Sequence, residues 1–183
     1  MIEYPDLIKT KYIYVYNKIL GKRKRIDCGR KVYKYKTHYR KTIDHHNYRF
    51  GKDNTGTKEN SGMSIDEHIE IVNKLFPGYI LDYKVYSNSI WIDYNIIKGV
   101  PASEVFPKTP EFIKRVYRFC IDHYKKTAPY AHGDWILENI MIDGDNFKLI
   151  DWDHLDIYTE QEAFGRIYND IFIENMKKRI IYK

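Results

Sequence analysis

The sequence predicts an α+β fold with two lobes: a small antiparallel sheet with one helix, then a short, mostly helical lobe. Strand-like stretches, one helix and a hairpin fill the first half, whereas the second half runs helix, hairpin, helix. Four Gly and Pro residues interrupt the pattern over Lys98–Pro110, which predicts lobes over residues 1–98 and 99–183. With 43% apolar and 31% charged residues, the composition is typical of a globular chain with its own core, not of a disordered tail.

The first lobe is predicted to open with three strands. Tyr12–Asn17 is β-branched and aromatic, and Lys24–Cys28 has the composition of a second, short strand. Gly29 and Arg30 predict a turn. Lys31–Thr37 then alternates like a third strand.

A polar segment, a helix and a hairpin complete this lobe. Asp44–Gly62 is rich in Gly, Asn and Thr, which predicts a long loop. A helix begins after Ser64, because Ser64 and Glu67 have the spacing of a capping box. Tyr79–Tyr86 and Ser89–Ile97 flank a Ser-Asn pair and predict a hairpin.

The second lobe is predicted to contain two helices around a short hairpin. Glu111–Lys126 is amphipathic, with apolar residues at helical spacing. Ile140–Ile142 and Phe147–Ile150 flank Asp-Gly-Asp-Asn, which is a strong signal for a tight hairpin. Thr159–Tyr182 is expected to form a closing helix.

The net charge of +6 is concentrated in one stretch of the chain. From Lys18 to Lys41 the sequence has eleven basic residues and one acidic residue, Asp27. This stretch therefore carries +10 and the rest of the chain −4. The stretch fits a solvated sheet face, a site for nucleotide phosphates, or nucleic-acid binding through its interleaved tyrosines. Two cysteines and the lack of an apolar signal core or an apolar run of about 18 residues predict a cytoplasmic protein without a membrane span.

One segment has a residue pattern suited to phosphoryl transfer. His132 and Asp134 are followed, after four residues, by Asn139, then by the short hairpin and by Asp151 after an apolar strand. An Asp in a loop can align a hydroxyl and accept its proton, and an Asn and a second Asp beside a hairpin can hold Mg²⁺ against phosphates. His-Gly-Asp alone is also a common turn, so the prediction depends on the agreement of all these spacings.

This segment resembles the catalytic loop and metal motif of the protein-kinase-like superfamily. It is most similar to the aminoglycoside phosphotransferase and choline kinase branch, in which a Gly is typical at the position of Gly133. The resemblance implies ATP and Mg²⁺ as cofactors and Asp134 as the catalytic base. It also implies Asn139 and Asp151 as metal ligands, and His132 as a structural brace of the loop.

The resemblance extends to the N-terminal half, where it implies a strand lysine for the α/β-phosphates, a helix glutamate that pairs with it, and a hinge whose main chain bonds adenine. The candidates for these three parts are Lys34 or Lys36, Glu67 or Glu70, and the main chain near Tyr94 and Ile96. A Gly-rich motif is missing between the first strands, and Lys22–Arg25 is the alternative phosphate contact.

The function implied is transfer of the γ-phosphate of ATP to a hydroxyl of a small molecule or sugar. Two alternatives stay open: a compact Ser/Thr protein kinase, and a pseudokinase that acts as a nucleotide-binding regulator or scaffold. The resemblance favours nucleotide phosphates over nucleic acid as the partner of the basic stretch. Only 32 residues follow Asp151, so the substrate-binding lobe is expected to be abbreviated.

Overall fold

The computed structural model describes residues 6–17, 22–44, 63–87 and 89–173. The chain divides into two compact units. The first contains a five-stranded antiparallel sheet. The described part of the second comprises residues 63–68 and 97–173, and it contains the longest described helix with several short strands. The predicted α+β class is therefore confirmed.

The sheet of the first unit has three strands before its helix and two after it. The strands are β1 (Asp6–Asn17), β2 (Lys22–Lys34), β3 (His38–Asp44), β4 (Ile80–Val85) and β5 (Ser89–Asn95). Their spatial order is β1-β2-β3-β5-β4, so β1 and β4 are the two edges among the strands that the structure describes. The buried residues Ile43, Ile90 and Ile92 pack on one face of β3 and β5.

The second and third strands differ from the prediction. β2 continues through Gly29 and Arg30, so the predicted turn there is wrong. The residues between Asp27 and Arg30 form an irregularity in the pairing with β1, and a glycine within a strand often marks such a bulge. The chain turns instead over Tyr35–Thr37, where the Tyr35 N–H donates to the His38 carbonyl at 2.9 Å. The predicted third strand, Lys31–Thr37, is thus the end of β2 and the turn, and the third strand is His38–Asp44.

The helix of the N-terminal half, α1 (Ile65–Leu75), confirms the predicted capping box. The Glu67 carboxylate accepts from the Ser64 N–H at 2.9 Å, and the Glu67 N–H donates to the Ser64 hydroxyl at 3.2 Å. Buried Ile69 and Val72 anchor the helix. The β4–β5 hairpin is also as predicted, whereas the predicted loop, apart from Asp44 at the end of β3, lies outside the described residues up to Gly62.

From Ile97 to Ile173, the second unit holds two α-helices and five short strands. They are β6 (Val100–Pro101), α2 (Pro110–Thr127), β7 (Tyr130–Ala131), β8 (Ile140–Asp143), β9 (Asn146–Leu149), β10 (Asp156–Ile157) and α3 (Glu160–Tyr168). The predicted α2 and the β8–β9 hairpin are confirmed. The closing helix is α3 followed by a single π-helical turn, Asn169–Ile173, and its predicted continuation lies outside the described residues.

The core of the second unit is formed by apolar residues of both helices and of the segment between them. Its fully buried members include Val116, Trp135, Ile140, Leu149, Trp152 and Ile167. β7 pairs with β10, and β8 pairs with both β6 and β9. These pairings fix both ends of the segment from His132 to Asp151. Among the described residues, no helix combines the length and the apolar character that crossing a bilayer requires.

Candidate active site

The loop that carries the predicted catalytic residues lies entirely in the second unit. It leaves β7 at His132, passes through a 3₁₀ turn over Leu137–Asn139 and enters β8. β9 then returns the chain to Asp151. The Ile150 N–H donates to the Asn139 carbonyl at 2.9 Å, which ties the two sides of the hairpin together at the site.

His132 is fully buried and braces the loop from inside. Its Nε2 lies 2.8 Å from the Ile150 carbonyl, and its Nδ1 accepts from the Asp134 N–H at 3.3 Å. These partners require a neutral ring with its proton on Nε2. Burial lowers the pKa of His132, which agrees with that neutral form. The ring thereby links the backbone of Asp134 to that of Ile150, the residue before Asp151.

Asn139 orients the Asp134 carboxylate. Its buried side chain donates from Nδ2 to the Asp134 Oδ2 at 2.9 Å and to the Asp134 carbonyl at 3.2 Å. With the amide nitrogen used in this way, Oδ1 is the atom that Asn139 can offer to a cation. The hydrogen bond from the Asn139 Nδ2 fixes the orientation of the Asp134 carboxylate. The Asp134 side chain is only half-buried, so part of it is exposed at the surface.

Asp151 has an uncommon backbone conformation. With φ 65° and ψ 63°, it is the one non-glycine residue with positive φ in the part of the chain that the structure describes. Such a conformation costs of order 1 kcal/mol and is often found at functional sites. Burial lowers the pKa of the His132 ring, whereas its bond to Ile150 and the charges of the Asp134 and Asp151 carboxylates raise it.

The donor atoms fit Mg²⁺ held jointly with phosphates. Asn139 and Asp151 offer oxygens, which are the ligands that Mg²⁺ prefers, and Mg²⁺ commonly takes one or two protein carboxylates while substrate phosphates complete its shell. Among the described residues there is no group of three or more His, Cys, Asp or Glu side chains that could hold a metal ion. Asn139 and Asp151 are thus the two residues of this loop that could offer oxygens to a cation.

Asp170 is a site residue that the sequence did not reveal. It lies in the π-helical turn after α3, and its Oδ2 accepts from the Trp135 N–H at 3.1 Å. Since Trp135 directly follows Asp134, this bond holds the loop that carries Asp134 at a second point, in addition to the bond from the Asp134 N–H to His132. Residues 35 positions apart make the contact, and no local spacing signals it.

The candidates from the first half of the chain occupy different environments. Lys34 is exposed at the end of β2, and Lys36 is exposed in the following turn. Glu67 is exposed, and hydrogen bonds from Ser64 lower its pKa; Glu70 is exposed as well. Tyr94 is buried in β5 against the Tyr79 ring, and Ile96 is half-buried just beyond that strand.

Lys41 is a buried lysine of the sheet, with only 8% of its surface exposed. It lies on β3 opposite Ile92 and on the same face as Ile43, and both isoleucines are fully buried. Charged lysines are rarely buried unless they are paired. Lys41 was not among the predicted candidates because the third strand was predicted seven residues too early.

His123 lies against this loop and makes stability depend on pH. Its ring, on α2, contacts the Trp135 and Trp152 rings, and its buried Nδ1 has no hydrogen-bond partner among the described residues. Burial, followed by the nearby His132 and Lys126, lowers its pKa from 6.5 to about 4. The neutral ring therefore stabilises the fold fully above pH 6.5, and this stabilisation is lost as the pH falls toward 4.

We expect a His123→Phe variant to lose less stability than the parent between pH 7.5 and 4.5. The difference should approach about 2–3 kcal/mol, because each pKa unit corresponds to about 1.4 kcal/mol. Urea unfolding at the two pH values measures it. Equal losses in both proteins would show that His123 does not cause the pH dependence.

Comparisons with known proteins give similarity in structure only. Neither a family model nor a curated protein matches the chain. A crystal structure of monomeric WbdD matches with 16% identity over 84% of this chain, at a TM-score of 0.49. A co-crystal structure of WbdD and the kinase inhibitor LY294002 matches with 13% identity over 84% of this chain, at a TM-score of 0.44. This chain spans about 40% of the length of those proteins.

Proposed function

We propose that the chain is a phosphotransferase that uses ATP and Mg²⁺ to phosphorylate a hydroxyl of a small molecule or sugar. The observation that carries the proposal is the bonded set of His132, Asp134 and Asn139, with Asp151 in a strained conformation beside it. Phosphoryl transfer depends on positioning and electrostatics more than on covalent chemistry, and this loop supplies fixed carboxylates.

Asp134 is the residue that acts on the acceptor. The Asn139 amide holds its Oδ2, so its Oδ1 is the oxygen proposed to receive the hydroxyl proton. An acceptor oxygen hydrogen-bonded to Oδ1 is aligned for attack on the γ-phosphorus of ATP. As the new P–O bond forms, the acceptor proton passes to the carboxylate, the bond from the γ-phosphorus to the β,γ-bridging oxygen breaks, and ADP leaves. His132 stays neutral throughout and acts as a positioning residue.

Asn139 and Asp151 are proposed to hold Mg²⁺ through Oδ1 of the amide and through the carboxylate. The bound cation would neutralise charge on the nucleotide phosphates. In the first unit, the main chain near Tyr94 and Ile96 is proposed to bond adenine. The helix glutamate proposed to pair with the strand lysine is Glu67 or Glu70. The Glu67 carboxylate also accepts a hydrogen bond from the Ser64 N–H.

Lys41, rather than exposed Lys34, is proposed to contact the α/β-phosphates. We expect Lys41→Met to weaken Mg·ATP binding about tenfold or more, since a charge-assisted hydrogen bond contributes about 1.5–3 kcal/mol. Lys34→Met is the matched control and should change the Kd less than twofold. Calorimetric titration of both variants, with thermal melts to confirm folding, measures this. Weaker binding in Lys34→Met alone would return the role to Lys34.

The experiment that tests the function is a screen of hydroxyl acceptors with γ-labelled ATP and Mg²⁺. Label on a sugar or another small acceptor, lost without Mg²⁺, would support the proposal. Label found only on proteins would favour the compact protein kinase. ATP-dependent thermal stabilisation without any transfer would favour a nucleotide-binding regulator.

A further inference from the structure

The strand β4 lies at an edge of the sheet of the first unit, as far as the described strands go. β5 pairs with one side of it, and the strand order ends there. The side chains of Leu81, Asp82, Lys84 and Val85 are exposed, and those of Leu81 and Val85 to 52% and 49%. An open edge with exposed apolar residues is a template for pairing with another strand, and proteins usually protect such edges.

The backbone groups of β4 that face outward follow from the hairpin. The Tyr86 N–H donates to the Ser89 carbonyl at 2.8 Å, so hydrogen-bonded positions toward β5 recur at Lys84 and Asp82. The backbone N–H and C=O groups of Tyr83 and Val85 therefore point away from β5. The Tyr83 N–H donates to the Asp82 Oδ1 of the same strand at 2.9 Å.

The sequence of β4 is complementary to itself when read in the opposite direction. An antiparallel pair centred on Tyr83 places Asp82 opposite Lys84 of the second copy, and Lys84 opposite Asp82. It also places each Leu81, which lies at an irregularity in the pairing of β4 with β5, opposite a Val85. Opposite charges and apolar pairs at facing positions stabilise a sheet, whereas like charges there destabilise it.

From this edge we infer that two copies of the chain pair through β4, antiparallel and centred on Tyr83, into one continuous sheet. Asp82 releases its own strand's Tyr83 N–H, which then donates to the Tyr83 carbonyl of the second copy. Both exposed apolar side chains are covered in the same step. The contact is isologous, so one twofold axis closes the assembly at two copies.

The pairing register defines the experiment. Sedimentation velocity on the full chain, from about 1 to 200 µM, measures the dimer dissociation constant. Lys84→Asp and Asp82→Lys each place like charges opposite one another twice, and each should raise that constant about tenfold or more. The double variant Asp82→Lys/Lys84→Asp restores opposite charges and should return to within about threefold of the parent. Lys98→Asp is the control for charge alone, because Lys98 is an exposed lysine outside the strand.

Hydrogen exchange provides an independent readout. The amides of Tyr83 and Val85 should be protected at 200 µM and exchange at least tenfold faster at 1 µM. A chain that is monomeric throughout this range overturns the inference and leaves the edge to a strand from a different protein. A dimer that is insensitive to the single charge changes, or one that the double variant does not restore, also overturns it.

Discussion

An Asp134→Asn variant should lose phosphoryl transfer by about 10²–10⁴-fold while it still binds nucleotide, because a positioned general base contributes about that factor. The substitution removes the charge and the proton acceptor but keeps the shape of the side chain. Its amide oxygen can still accept from the Asn139 Nδ2, so the loop geometry should survive. Transfer from γ-labelled ATP, to the acceptor found in the screen or to water, measures the loss.

The matched control for this change is Asp143→Asn. Asp143 lies at the exposed end of β8, beside the hairpin turn, and has no proposed role in the chemistry. It should keep at least half of the parent's rate. Calorimetry with Mg·ATP should give the parent's Kd within about threefold for both variants. Transfer by Asp134→Asn at close to the parent's rate would contradict the assignment of the base.

The geometry of the loop that carries Asp134 was predictable because its structure is local. Asp143–Asn146 forms a tight hairpin whose signal lies in four consecutive residues. The elements that carry Asp134, Asn139 and Asp151 are therefore fixed by short-range spacing. Spacing could not predict that the Asn139 side-chain amide donates to Asp134. It also could not predict the left-handed backbone conformation of Asp151.

The N-terminal sheet was less predictable because its strand boundaries depend on pairing between distant residues. Gly29 has the composition of a turn, yet β2 continues past it because β1 pairs with both halves of the strand. That single misplaced turn moved the third strand and hid Lys41. Asp170 shows the same limit, since it acts on Trp135 through a contact that only the folded chain creates.

Gly133→Ala should be the most destabilising small change in the site. Gly133 has φ +77°, and an added Cβ would collide with the His154 carbonyl oxygen and lie 2.7 Å from the Tyr158 hydroxyl. Both groups belong to the packed segment after Asp151, so neither can move without disturbing it. We expect a loss of about 3 kcal/mol in the free energy of unfolding, which combines backbone strain with overpacking.

Gly144→Ala separates these two causes. Gly144 also has positive φ, at +61°, but an added Cβ there has no neighbour within 4 Å. It should therefore cost only the strain, about 1 kcal/mol. Urea unfolding of both variants measures the difference of about 2 kcal/mol, and equal losses would show that the close approach of His154 to Gly133 does not constrain the loop. If the difference is found, the absence of a side chain at Gly133 is what allows the segment after Asp151 to pack on the backbone beside Asp134. Transfer activity should then fall together with stability in Gly133→Ala and not in Gly144→Ala.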